Sequence, residues 1–111
     1  MNWTEEEMER KYKEMTRNVT KNEKLTELDK AILLTIYTRG GKSKRAHFPV
    51  EFICRGFPSH LHGKIKNRVE KLKRKGYIFS KPHPSGMSYG LSEKGWEVAR
   101  ELEKELERKH L

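Results

Sequence analysis

The sequence has no glutamine, a single aspartate (Asp29) and a single cysteine (Cys54). One thiol excludes an intramolecular disulfide and suits a reducing compartment. No apolar run approaches the roughly 18 residues of a membrane span. The acidic start MNWTEEEMER lacks the pattern of a secretory signal. A cytoplasmic location is therefore expected, and the glycosylation triplet Asn18-Val19-Thr20 is discounted. Lys and Glu dominate where Gln and Asp are missing, a usage that leans toward a thermophilic source. Apolar residues are also scarce, at 33% of 111 against 37% charged. One domain with a modest core is the expectation, with apolar faces at both ends open to a partner subunit.

Catalytic equipment is missing as well. There is no Ser/His/Asp order with supporting glycines and no phosphate loop, and the acids fall at spacings that suit i,i+4 pairing with Lys and Arg. No enzyme and no cofactor are expected. His47, Cys54, His60 and His62 follow the spacing H-x6-C-x5-H-x-H, which matches no common zinc pattern. Cys54 lies in an apolar stretch where free cysteine usually packs, so no metal is expected.

The most informative scarcity is that of acids in the middle of the chain. Residues 39–81 carry 13 Lys/Arg against only Glu51 and Glu70, a net +11, while residues 1–38 and 82–111 each carry a net −1. A solvated surface normally mixes signs, as both ends do. An almost acid-free middle suffers self-repulsion that a polyanionic partner relieves, which points to nucleic acid.

Thr4 to Glu7 reads as a capping box. It opens a helix whose Met8, Tyr12, Met15 and Val19 form one narrow apolar stripe, and residues 1–25 form this helix plus a polar connector. Thr26 and Asp29 cap a second helix over 26–39, with Leu28, Ile32, Leu33 and Ile36 inward and Gly40-Gly41 stopping it. A short strand is expected near 46–48. Pro49 opens a short helix carrying Val50, Phe52 and Ile53. Ser59 is expected to cap a helix over 59–75, on which Leu61, Ile65, Val69 and Leu72 share one face. Opposite lie His60, Gly63, Asn67 and Arg74, flanked by Lys64, Lys66, Lys71 and Lys73. Gly76 ends it. YIFSK and MSYGL read as two strands joined by a five-residue loop over 82–86. Ser92 caps a last helix bearing Val98, Ala99, Leu102 and Leu106, with Trp96 on its flank. The class is α+β, mostly helical with a small hairpin.

Helix, short helix, turn, the basic helix ending LKRKGYI, hairpin, then YGLSEKGWEVARELEKEL resembles the winged helix-turn-helix domain, most closely that of MarR- and PadR-type transcriptional regulators. The resemblance spans about residues 26–105 of the domain placed at 26–111. It departs in the short wing loop and in Trp96, where these regulators often carry a polar residue. It implies a sequence-specific binder of double-stranded DNA, with helix 59–75 in the major groove and the wing 77–91 at the backbone or minor groove. Base reading falls to the N-terminal half of that helix: His60, His62, Gly63, Lys64 and Asn67. Gly63 is costly inside a helix, which close approach of the backbone to DNA repays. Phosphate contacts fall to Ser59, Lys66, Arg68, Lys71, Lys73, Arg74 and Lys75, with Lys42, Lys44 and Arg45 adding to the same surface. Arg68 lies beside the apolar face, where its stem is equally suited to the core. Lys81 and His83 mark the wing tip. The family implies a homodimer formed by terminal helices, here through Met8, Tyr12, Met15, Leu102 and Leu106. The rival expectations are a non-specific duplex or structured-RNA binder of the same fold, and a winged helix docking an acidic protein.

Overall fold

Local capping sets the first element. The Thr26 hydroxyl accepts from the Asp29 amide and the Asp29 carboxylate accepts from the Thr26 amide, both at 3.0 Å. This reciprocal box starts α1 (Glu27–Arg39) as the sequence indicated. The computed structural model describes residues 4–7 and 25–109. Within the first stretch the Glu7 amide donates to the Thr4 hydroxyl at 3.2 Å. The stripe Met8, Tyr12, Met15 and Val19 lies outside the described residues.

α1 ends in a Schellman motif: Gly41, at φ 61°, donates to the Thr38 carbonyl and Lys42 donates to that of Tyr37. Strand β1 (His47–Pro49) falls one residue later than expected. Pro49, at φ −59°, then turns the chain into α2 (Val50–Cys54) from the cap position.

The next helix corrects the sequence reading at its start. Ser59–Leu61 is a 3-10 turn, and α3 (His62–Arg74) begins after it with no side-chain cap. Ser59 therefore caps nothing. Pro58 holds ψ at 145° and its carbonyl accepts from the Leu61 amide, so a tight turn takes the donors that a capping hydroxyl would have served. The far end agrees with expectation. Tyr77 donates to the Leu72 carbonyl and Gly76, at φ 87°, donates to that of Lys73, a second Schellman motif.

Strands β2 (Ile78–His83) and β3 (Gly86–Leu91) pair antiparallel from Ile78 opposite Leu91 to His83 opposite Gly86. The connection is thus two residues, Pro84 and Ser85, instead of five. Pro82 lies within β2, which is tolerable because β2 is an edge of the sheet order β1-β3-β2. Helix α4 (Glu93–Lys109) starts where the Ser92 hydroxyl accepts from the Gly95 amide at 3.1 Å. Gly95 lies against the Tyr77 carbonyl so closely that any Cβ would overlap it, which docks α4 on the base of the hairpin.

The class is α+β. Its core is Ile32, Leu33 and Ile36 of α1, Ile53 of α2, Ile65, Val69 and Leu72 of α3, Ile78 and Leu91 of the hairpin, and Ala99 of α4. No helix among the described residues is long and apolar enough to cross a membrane.

Candidate nucleic-acid interface

Burying three aliphatic residues at spacings of four and three forces the opposite side of α3 into solvent. Ile65, Val69 and Leu72 are at most 1% exposed. Lys64, Lys66, Asn67, Lys71, Lys73 and Arg74 are exposed, as are His60 before the helix and Lys75 after it. Gly63 is exposed too, and a Cβ there would meet nothing within 4 Å. Among the described residues, none of these lysines nor Arg74 has a carboxylate within 4.0 Å. The one acid of α3, Glu70, instead accepts from the Tyr89 hydroxyl at 3.0 Å and ties β3 to the helix. Arg100 and Lys104 of α4 differ, each lying beside a glutamate of the previous turn.

Three of the phosphate candidates move out of this surface. Arg68 makes two bonds to Asp29, Nε to Oδ1 at 2.7 Å and Nη2 to Oδ2 at 2.6 Å. Its side chain is 16% exposed and that of Asp29 is fully buried, so this guanidinium is spent holding α3 to α1. Lys42 bonds Glu103 of α4 at 3.0 Å, and the carboxylate raises the pKa of the ammonium above its usual value, first through that hydrogen bond and then through its charge. Lys44 reaches Glu93 at 3.2 Å and stands 4.5 Å from the Trp96 ring. The turn carrying both is strapped to α4 by the Trp96 indole, which donates to the Lys42 carbonyl at 3.0 Å. Arg45 and Ser59 stay exposed.

Among the base-reading candidates, His62 is half-buried, with Nε2 3.0 Å from the Phe57 carbonyl, which holds its ring against the preceding turn. His60, Gly63, Lys64 and Asn67 remain together on the open face. At the hairpin tip Lys81 and His83 are exposed. Nδ1 of His83 accepts from the Ser85 amide at 3.2 Å, so the ring buttresses the two-residue loop, and Lys81 lies 5.5 Å from the Phe79 ring. Of the rest of the His/Cys pattern, the Cys54 thiol donates to the His62 carbonyl at 3.9 Å. His47 is hydrogen-bonded to Ser88 at 2.7 Å, and Cys54 is buried, which pushes its thiol pKa up.

Periodicity and charge singled out neither Arg39 nor Arg55. Both stand over the ring of Phe52, at 5.0 and 5.9 Å from its centre. The signal that was available is their membership of the acid-poor middle, together with Phe52 three residues before Arg55. Leu34 of α1 and Leu102 and Leu106 of α4 line an open groove of about 250 Å³ edged by Lys30 and Glu105.

No protein-family model and no curated protein sequence matches this chain. Among solved structures it is similar to the crystal structure of AF1382 from Archaeoglobus fulgidus, with a TM-score of 0.62 and 16% identity over 74% of this chain and 87% of that one. At that identity the likeness is one of fold.

Proposed function

We propose that the protein is a winged helix-turn-helix binder of double-stranded DNA, acting as a transcriptional regulator of the kind its sequence resembles. The observation that carries this reading is the row of exposed cations on α3 with no carboxylate within 4.0 Å among the described residues, opposite a face of Ile65, Val69 and Leu72 that is at most 1% exposed. Lys104 of α4 lies beside Glu101, whereas the exposed lysines of α3 have no carboxylate within 4.0 Å among the described residues and repel one another. A polyphosphate surface relieves that repulsion and releases counterions on binding. The start of α3 reinforces it. It has no side-chain cap and no acid in its first turn, so the positive end of its dipole is left unneutralised.

In this reading α3 lies in the major groove. Asn67 pairs two-pronged with adenine, and Lys64 and His60 donate to guanine N7 or O6. Gly63 lets the backbone come close. Lys66, Lys71, Lys73, Arg74 and Lys75 meet phosphates and fix the register. The order helix, strand, short helix, helix, hairpin, helix supports the winged assignment, with Lys81 and His83 carried to the flanking backbone or minor groove. The groove lined by Leu34, Leu102 and Leu106 supports a homodimer through terminal helices, tested by the mass in solution.

A non-specific duplex binder is the second reading, favoured by the commitment of His62 to Phe57, which shortens the base-reading set. Selection of bound fragments from a random duplex pool separates the two. Enrichment of one short, pseudo-palindromic motif supports the regulator, and uniform recovery supports non-specific binding. No retention of duplex at low salt points to an acidic protein partner.

A further inference from the structure

Arg39 closes α1 and Arg55 follows α2, sixteen residues apart in sequence, yet both guanidiniums converge on Phe52. The Phe52 ring is itself braced by Phe48, stacked on it at 4.9 Å and 23°. The Arg39 guanidinium also lies close to Gly56, where an added Cβ would come within 3.3 Å of Nη2. Arg55 has Glu51 four residues before it, the spacing at which a helix pairs opposite charges. Nevertheless no carboxylate lies within 4.0 Å of either arginine among the described residues. Nor does either guanidinium donate a hydrogen bond to these residues.

We infer that Arg39 and Arg55, mounted on Phe52, form a second phosphate-binding site for duplex DNA, separate from α3 and the hairpin. The inference rests on the proposed duplex binding and extends it. A guanidinium that interacts with an aromatic face keeps its N–H edge free, and that edge matches two oxygens of a phosphodiester. The ring restrains two long side chains before any ligand arrives, which lowers the ordering cost of binding. Position favours a nucleic-acid backbone. Arg55 follows α2 and leads through Pro58 into the 3-10 turn before α3, so the pair borders the N-terminal end of that helix. The pair reads no sequence; it fixes the angle at which α3 enters the groove.

The test is the salt dependence of binding to mixed-sequence duplex DNA by the full chain, the double variant Arg39→Gln/Arg55→Gln, the variant Phe52→Leu, and a reference double variant Lys71→Gln/Lys73→Gln. Circular dichroism melting of each confirms folding. Loss of two phosphate contacts should reduce the slope of log affinity against log salt by about 1.8, equally for every sequence. Phe52→Leu keeps both charges but removes the mounting, and should weaken binding without restoring acid pairing. A parental slope in the arginine variant, beside a reduced slope in the lysine variant, overturns this site and leaves the α3 reading standing. Parental affinity in Phe52→Leu overturns the role of the ring. Failure of the parent chain to bind duplex overturns both.

Discussion

Arg68 and Asp29 face each other across the α1–α3 junction, with two parallel bonds of 2.7 and 2.6 Å. The same carboxylate accepts the Thr26 amide at 3.0 Å, so the single aspartate of the chain both caps α1 and anchors α3. The cation expected to be one more phosphate contact is thus the one that ties α3, with the other cations it carries, to α1.

Removing one partner leaves a buried, uncompensated charge. Arg68→Met should cost about 3–5 kcal/mol in urea unfolding. Asp29→Ala should also leave the Thr26 amide without its side-chain acceptor, about 1 kcal/mol more, while the Thr26 hydroxyl keeps its bond to the amide of residue 29. A double-mutant cycle should show strong coupling, and Arg68→Met should keep the parental salt slope for duplex binding at temperatures where it is folded. A reduced slope would return Arg68 to the phosphate contacts.

Acid should titrate this pair. Burial by itself would raise the pKa of Asp29, but the hydrogen bonds from Arg68 and Thr26 and the charge of Arg68 outweigh it and hold the carboxyl below its ordinary value of 3.8. A carboxyl depressed by folding contributes stability that is complete above its unfolded pKa and disappears as pH falls through the folded one. Urea midpoints should fall as pH is lowered from 4 toward the depressed value. In Arg68→Met only the Thr26 hydrogen bonds still oppose burial, so the Asp29 pKa rises and this acid dependence should shrink.

Two glycines should respond in opposite directions. Gly95→Ala places a methyl group on the Tyr77 carbonyl and should destabilise the fold by about 1–3 kcal/mol, as overpacking does. Gly63→Ala meets nothing and should stabilise α3 by about 1 kcal/mol, while weakening duplex binding through the added bulk at the groove. Thermal melts and binding curves on the same samples check both.

What could be read from the sequence was mainly what is local. The Thr26–Asp29 box, the stops at Gly41 and Gly76, the Ser92 cap and the buried face of α3 each depend on residues a few positions apart. What could not be read depends on distant neighbours. Asp29 finds Arg68 thirty-nine residues away, and Lys42 and Lys44 find Glu103 and Glu93 only once Trp96 has drawn their turn onto α4. Ser59 had every mark of a cap, but Pro58 ahead of it favours a 3-10 turn. Pro82 marked a loop, and becomes strand because its strand is an edge.

The reassignment of Lys42 and Lys44 is checked by neutralising them. Lys42→Gln/Lys44→Gln should leave the salt slope of duplex binding unchanged and loosen the contact with α4, read as a lower melting temperature. Lys73→Gln should reduce the slope by about 0.9 and weaken all sequences alike. Asn67→Ala should instead relax preference at one base position.

The most direct measurement compares two triple variants with the same loss of charge, Lys64→Gln/Lys71→Gln/Lys73→Gln on α3 and Arg100→Gln/Lys104→Gln/Lys109→Gln on α4, by fluorescence anisotropy on one labelled duplex across a salt series. If α3 is the surface that meets phosphates, its variant flattens the slope by about 2.7 and the α4 variant retains the parental slope. Equal slopes for the two variants would contradict a localised interface, reducing any binding to an effect of net charge.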